Sequence, residues 1–332
     1  MGTRFEIVLG GEDSARLAPI ADHVLAEITH WHDRLSLFKS DSFLTYINQR
    51  AHIAPIPVEP DLFELLTLCA RVHAESGGAF DPTVAPLMRA HGFHTGTAHA
   101  PFPAPAHTPA PIPVISGAPG MTEVELNNDA RTIRFRSPGI ALDLGAVAKG
   151  FALDMAASHL RAFGVQHALV HGGTSSIVAL GDAPGADSSE GGWRIALGPG
   201  EDALILTLRD GALSFSAPHG RTVESPDGSA RLTHIIDPRT GLPATAEIFS
   251  AAVASAMTGN AVDPWPAARC EAWSTALVVL GRRPESMPDS LTSVLASATP
   301  GSKREWAVEG PHRPFICEPT PPKPRVPSGP RC

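Results

Sequence analysis

The stretch from His167 to Ala217, "HALVHGGTSSIVALGDAPGADSSEGGWRIALGPGEDALILTLRDGALSFSA", decides the fold class. It holds five short apolar runs, HALVHGG, SIVALG, WRIALG, ALILTL and ALSFSA, divided by Gly, Pro and Asp. Strands at such short intervals fold back on one another, so the stretch predicts an antiparallel β-meander. Flanking helices then make the protein α+β rather than a doubly wound parallel fold.

The helices lie on both sides of that stretch. Thr3 to Leu9 alternates like a half-buried strand, and Ser14 to Arg34 follows as a long helix. "SFLTYINQ" and "DLFELLTLCARVHAESGG" read as two more, the second stopping at Gly77 and Gly78. "VELNNDARTIRFRS" reads as two strands about a hairpin turn, and "IALDLG" as another strand. The helix "AVAKGFALDMAASHLRAFG" then ends at Gly164. "CEAWSTALVVLG" is expected to be the last ordered element, because the tail "RPFICEPTPPKPRVPSGPRC" is too rich in proline to fold alone. Residues 101–119 are dominated by proline and alanine and read as an extended surface insertion. The expected organisation is one domain over residues 1–310 and a disordered tail over 311–332.

Composition bounds the function. With 332 residues, 43% hydrophobic and 18% charged, the chain reads as soluble and globular, and it is long enough for one large domain or two ordinary ones. A formal charge of -8 argues against a general grip on phosphate backbones, so no nucleic acid partner is expected. No window approaches the roughly 18 apolar residues that a membrane span requires. "MGTRFEIVLG" lacks the order of a signal peptide, and Glu6 stands where myristoylation needs Ser or Thr. As written, the chain reads as cytoplasmic; a start upstream of Met1 would admit a leader or lipid anchor and a place at the bacterial inner membrane or in the periplasm. Cys69, Cys270, Cys317 and Cys332 are too scattered for a zinc site or a disulfide framework.

Several short motifs carry chemistry-bearing groups, each with a structural explanation beside the functional one. Glu271 and Thr275 stand four apart and share one helix face, which suits a hard cation such as Mg²⁺, although an isolated pair of this kind is ordinarily a solvated Glu and an exposed Thr near a helix start. Lys149 falls in the first turn of a helix, where an anionic ligand would offset its clash with the dipole. In "SGGAFDPTVAPL", Asp81 reads as an N-cap with Pro82 at the first helical position. In "HIIDPRTG", Asp237, Pro238 and Gly241 read as a turn after a strand.

Taken in order, "MGTRFEI", "RLSLFKSDSFLTYIN", "SGGAFDPTVAPL", "LDLGAVAKGFALD", "HGGTSSIVALG", "HIIDPRTG" and "EAWSTALVVLG" resemble the signature blocks of the ApbE family, the FAD:protein FMN transferases. The resemblance runs from Met1 to about Gly281 and implies an ApbE-like, T-fold-like architecture. It implies that FAD lies in a cleft with a divalent ion on its pyrophosphate. FMN then passes to a Thr or Ser hydroxyl of an acceptor flavoprotein, such as a reductase-type subunit of a membrane complex, and AMP leaves. By position, Ala146 (through its carbonyl), Glu271 and Thr275 become metal ligands. Met1, Phe38, Ala79, Phe80, Asp81, Lys149 and His234 contact the cofactor, and His234 and Asp237 stand near the transferred phosphate. Which of those two takes the acceptor's proton stays open.

The chain also departs from the family pattern. Glu271 replaces an Asp, and the added methylene carries the carboxylate about 1.5 Å farther out. The resemblance implies Mg²⁺ as the divalent ion, and the departure at Glu271 admits Mn²⁺ or Ca²⁺ in its place, or a weaker metal site. Phe215, Ser216 and Ala217 replace Thr-Ser-Gly, and Thr174 replaces an Asp after the paired glycines. An FAD pyrophosphatase and a non-catalytic FAD carrier are the alternative functions.

Overall fold

The computed structural model describes residues 3–11, 13–93, 120–186, 191–198, 203–218, 222–224, 231–244, 248–257, 264–297, 305–310 and 316–317. The proline-rich insertion at 101–119 lies outside them, as does all of the tail from 311 except Ile316 and Cys317.

The chain opens with β1 (Phe5–Leu9), α1 (Ser14–Arg34), α2 (Phe43–Arg50), β2 (Ile56–Pro57), α3 (Pro60–Glu75) and α4 (Ala85–Ala90). Asp13 caps α1 by accepting from the Ala15 N–H, and Ser42 caps α2 by accepting from the Thr45 N–H. A hairpin of β3 (Val124–Asn127) and β4 (Thr132–Phe135) follows, with β2 on its far edge, then α5 (Ala148–Ala162).

The expected strand over "IALDLG" does not form: those residues join no ladder. The Asn48 side chain takes the Leu142 N–H and carbonyl, and the Asp143 N–H goes to the Pro82 carbonyl, so the segment's backbone is paired locally.

After α5 come β5 (Ala168–Gly172), β6 (Ser176–Leu180), β7 (Trp193–Leu197), β8 (Leu204–Leu208) and β9 (Gly211–Ser216). These are the five runs of the opening stretch, and they are antiparallel, but they are not a simple meander. β6 pairs with β9, while the β7–β8 hairpin leaves for a second sheet. Two short hairpins follow, β10 (Thr222–Glu224) with β11 (Arg231–Thr233) and β12 (Ile236–Asp237) with β13 (Leu242–Pro243). Next come β14 (Ile248–Ala256) and α6 (Pro266–Leu280).

The expectation that α6 is the last ordered element is corrected. β15 (Leu291–Ser297), β16 (Glu305–Glu309) and β17 (Ile316–Cys317) follow it. The tail residues of β17 gain structure by adding an edge to β8. Proline richness weakens a segment's own ladder, but a ready-made neighbouring edge supplies partners.

The main sheet has seven strands in the order β1-β5-β6-β9-β14-β15-β16, antiparallel throughout. It is covered on both faces. Because side chains alternate along a strand, Ala251 and Val253 of β14 join the core beneath the helices, while Ala252 and Ala254 join the core under the β7–β8–β17 sheet. This is why β14 reads "IFSAAVASA", apolar or small on both faces. α6 lies on β9 and β14, α5 beside it on β5 and β6, and α1 outside α5.

α6 begins at Pro266, and its N-cap residue, Trp265, offers no side-chain cap. Its end is met from α5: the Asp154 carboxylate accepts from the Ala267 N–H (3.0 and 3.1 Å) and the Ala268 N–H (3.0 Å). Asp154 is 3% exposed, so its loss leaves two buried donors without water to replace it. Asp154→Ala is expected to cost about 3 kcal/mol, read as a fall in the denaturant midpoint with the slope unchanged. A loss under about 0.5 kcal/mol would show that the donors find other partners.

Candidate functional site

A cleft of about 550 Å³ opens where the helical layer meets the ends of β6 and β9 and the β12 turn. That volume lies within the roughly 300–1,000 Å³ common for small-molecule sites. Four separate stretches converge on it: Phe38, then Ala79 to Asp81, then Ala146 with Lys149, and Glu271 with Thr275. His234 enters from a fifth. Phe38 borders the cleft and is 36% exposed. Met1 lies outside the described residues.

Asp81 borders the cleft, but not as an N-cap. α4 begins four residues later at Ala85, and the Asp81 carboxylate instead accepts from the Thr83 N–H (2.8 Å), the Thr83 hydroxyl (2.6 Å) and the Met121 N–H (3.1 Å). The Asp81 carboxylate is therefore a knot tying the "AFDPT" loop to the start of the β3–β4 unit.

The segment "HIIDPRTG" forms the expected turn. Thr240 and Gly241 return N–H bonds to the Asp237 carbonyl at 3.3 and 2.8 Å, and Gly241 has φ +72°, which a residue with a side chain rarely adopts. Asp237 is committed within that turn. Its Oδ1 accepts from the Arg239 N–H (3.0 Å) and Nε (2.9 Å), and its Oδ2 from Nη2 (2.8 Å). The same pairing with Asp237 raises the Arg239 guanidinium above its ordinary pKa. Asp237 does not border the cleft, whereas His234, Ile235, Ile236 and Pro238 do.

α4 holds the other side of this turn. Leu87 and Phe93 pack with Ile236, and the buried His91 bonds through Nε2 to the Gly241 carbonyl at 2.7 Å. A carbonyl only accepts, so His91 Nε2 carries the proton.

Lys149 lies in the first turn of α5, as its motif implies, and its ammonium contacts Glu271 Oε1. Glu271 is 2% exposed in a helix buried nearly all round. Its Oε2 accepts from the Gly150 N–H at 2.7 Å and its Oε1 also accepts from the Ser176 hydroxyl at 2.8 Å. The Thr275 hydroxyl donates to the Glu271 carbonyl at 3.1 Å.

The expected metal ligands are thus brought to one wall, but their chemistry does not fit a divalent ion as folded. The one carboxylate among them carries three donors, one of them an ammonium. Among the described residues, no group of three or more His, Cys, Asp or Glu side chains is arranged to hold a metal ion.

Sequence reasoning missed several lining groups. Asp143, whose Oδ1 accepts from the Gly145 N–H, borders the cleft, as do Thr3, Ser36 and Ser214. Asp143 had a signal, an acidic residue between an extended segment and the Lys149 helix. The serines had none, since whether they face the cleft depends on how the segment between α1 and α2 and the end of β9 are packed together.

A sequence profile described as the ApbE family matches residues 1–292. The chain is 28% identical over 291 residues to the FAD:protein FMN transferase of Klebsiella pneumoniae, covering 85% of this chain and 77% of that one. It is 31% identical over 257 residues to that of Treponema pallidum, covering 74% and 67%. A third FAD:protein FMN transferase, from Rhodobacter capsulatus, is 33% identical over 223 residues, 63% of this chain, and the chain spans 40% of that protein's length. In fold, the chain is similar to the ApbE protein of Thermotoga maritima, with a TM-score of 0.73, 24% identity and 94% of each chain covered. It is also similar to a histidine-to-glycine variant of flavin transferase ApbE from Vibrio cholerae, with a TM-score of 0.72, 23% identity, and 95% and 96% covered.

Proposed function

The chain belongs to the ApbE family, and on that premise we propose that it is an FAD:protein FMN transferase acting on a Thr or Ser hydroxyl of an acceptor flavoprotein. The observation that carries the reading is the convergence in one cleft of Phe38, Ala79 to Asp81, Lys149, His234 and Glu271, which come from separate parts of the chain.

In the proposed reaction the acceptor oxygen attacks the phosphorus of the FMN half. A new phosphorus–oxygen bond forms, the bond bridging the two phosphates breaks, and AMP leaves with the bridging oxygen. This chain's part is to orient the diphosphate, stabilise its charge and receive a proton. Lys149 supplies positive charge at the N-terminus of α5. His234 is the proposed proton acceptor, because it borders the cleft and imidazole titrates near neutrality. Asp237 shapes the turn that presents His234, since its oxygens are held by Arg239. Phe38, which borders the cleft, offers an aromatic face for the flavin ring. The Mg²⁺ dependence implied by resemblance is not part of the proposal, because Glu271 is already paired.

The test is a transfer assay with FAD and a reductase-type flavin acceptor domain, reading covalent flavin fluorescence on a denaturing gel alongside AMP. A fluorescent acceptor band with matching AMP is the expected result. FMN free in solution would instead mean that water is the acceptor, and tight FAD binding with no product would mean a carrier.

A further inference from the structure

We propose that this chain carries its own counter-cation: the Lys149 ammonium, held by Glu271, stands in place of a divalent ion, and the diphosphate of FAD binds without metal. The inference rests on the transferase reading for the identity of the ligand, and on the Lys149–Glu271 pair for the rest.

Three observations support it. First, Glu271 is anchored from three directions: the Gly150 N–H at 2.7 Å, the Ser176 hydroxyl at 2.8 Å and the Lys149 ammonium. An ionised carboxylate accepts about four hydrogen bonds, so most of its capacity is spent on the protein itself. An ion approaching Oε1 would meet an ammonium already there, and like charges on one carboxylate repel.

Second, the arrangement depends on the length of glutamate. Gly150 and Lys149 belong to α5 and Ser176 begins β6, while Glu271 lies on α6. A carboxylate one methylene shorter would fall about 1.5 Å short of these donors. Third, Lys149 keeps 20% side-chain exposure and borders the cleft, while its partner is only 3% exposed. An ammonium has three N–H donors, and among the described residues only Glu271 takes one. The buried acid therefore aims a cation at the ligand space, at the end of a helix that has no side-chain cap and no acidic residue in its first turn.

The test is FAD binding and Mn²⁺ binding by the whole chain, measured separately. FAD affinity is read by flavin fluorescence in chelator and in millimolar Mg²⁺, and Mn²⁺ uptake by the apo protein from the free-ion electron paramagnetic resonance signal. The wild-type dissociation constant for FAD is expected to differ by less than about threefold between the two conditions, with no Mn²⁺ bound. Glu271→Asp is expected to take up Mn²⁺ and to bind FAD roughly tenfold more tightly when Mg²⁺ is added. Lys149→Met, which leaves the carboxylate without its ammonium, is expected to take up Mn²⁺ also and supplies the same reading if the aspartate variant misfolds.

The proposal is overturned if chelator weakens wild-type FAD binding about tenfold or more, or if the wild-type apo protein binds Mn²⁺ and Glu271→Gln does not. Absence of FAD binding under both conditions would sink the transferase reading instead, and the Mn²⁺ measurement on apo protein would still decide this one.

Discussion

Alanine at position 150 is expected to destabilise the protein by about 3 kcal/mol or more, although glycine inside a helix ordinarily costs about 1 kcal/mol relative to alanine. The reason is the crossing of α5 and α6. A Cβ on Gly150 would stand 2.5 Å from the Ala267 carbonyl oxygen and 2.6 Å from both the Ala267 carbonyl carbon and the Ala268 nitrogen. These are backbone atoms, so no rotamer change relieves the clash, and the helices must separate.

Separation would break two further sets of contacts, the Asp154 bonds to Ala267 and Ala268 and the Gly150 N–H bond to Glu271. Steric cost plus loss of buried hydrogen bonds outweighs the gain in helix propensity. Denaturant unfolding followed by circular dichroism measures the balance. A Gly150→Ala protein as stable as the wild type, or more so, would mean that the helices do not approach this closely.

The second large effect concerns chemistry. His234→Gln is expected to lower the rate of FMN transfer by roughly 10²- to 10⁴-fold, the usual contribution of a positioned general base, while FAD affinity changes little. Glutamine retains polar bulk at the cleft wall but cannot take a proton near neutral pH. Single-turnover AMP release with saturating FAD and acceptor separates the chemical step from binding. A fall of only about threefold, with the same pH profile, would remove His234 from the proton path and direct attention to Asp143, a carboxylate that borders the cleft. Asp237→Asn offers a contrast. Because Asp237 is bound to Arg239 and does not border the cleft, its replacement is expected to act through the turn, shifting KM together with kcat.

Much of the local structure was legible because its causes are local. Asp13 and Ser42 cap their helices within a few residues, and Gly281, with φ +70°, ends α6 where the sequence places a glycine after the last apolar position. The five short runs between His167 and Ala217 are all antiparallel strands. The "HIIDPRTG" turn is fixed by Pro238 and Gly241, and the residues that border the cleft belong to the segments whose order resembles the ApbE family, except Met88 and Ser214 to Ala217.

What the sequence by itself determined is therefore the long helices, the antiparallel strands between His167 and Ala217 and the family. Only the tertiary structure decided that β6 pairs with β9 across the β7–β8 excursion, that β15 to β17 follow α6, that Asp154 caps a helix 113 residues away, and that Glu271 holds Lys149. The physical reason is the range of the forces that choose each outcome. Turns, caps and apolar periodicity are set within a few residues, by hydrogen bonds and sterics that the chain meets locally. The partner of a strand edge or of a buried carboxylate is whichever group packing brings within about 3 Å, and that depends on every layer of the core at once.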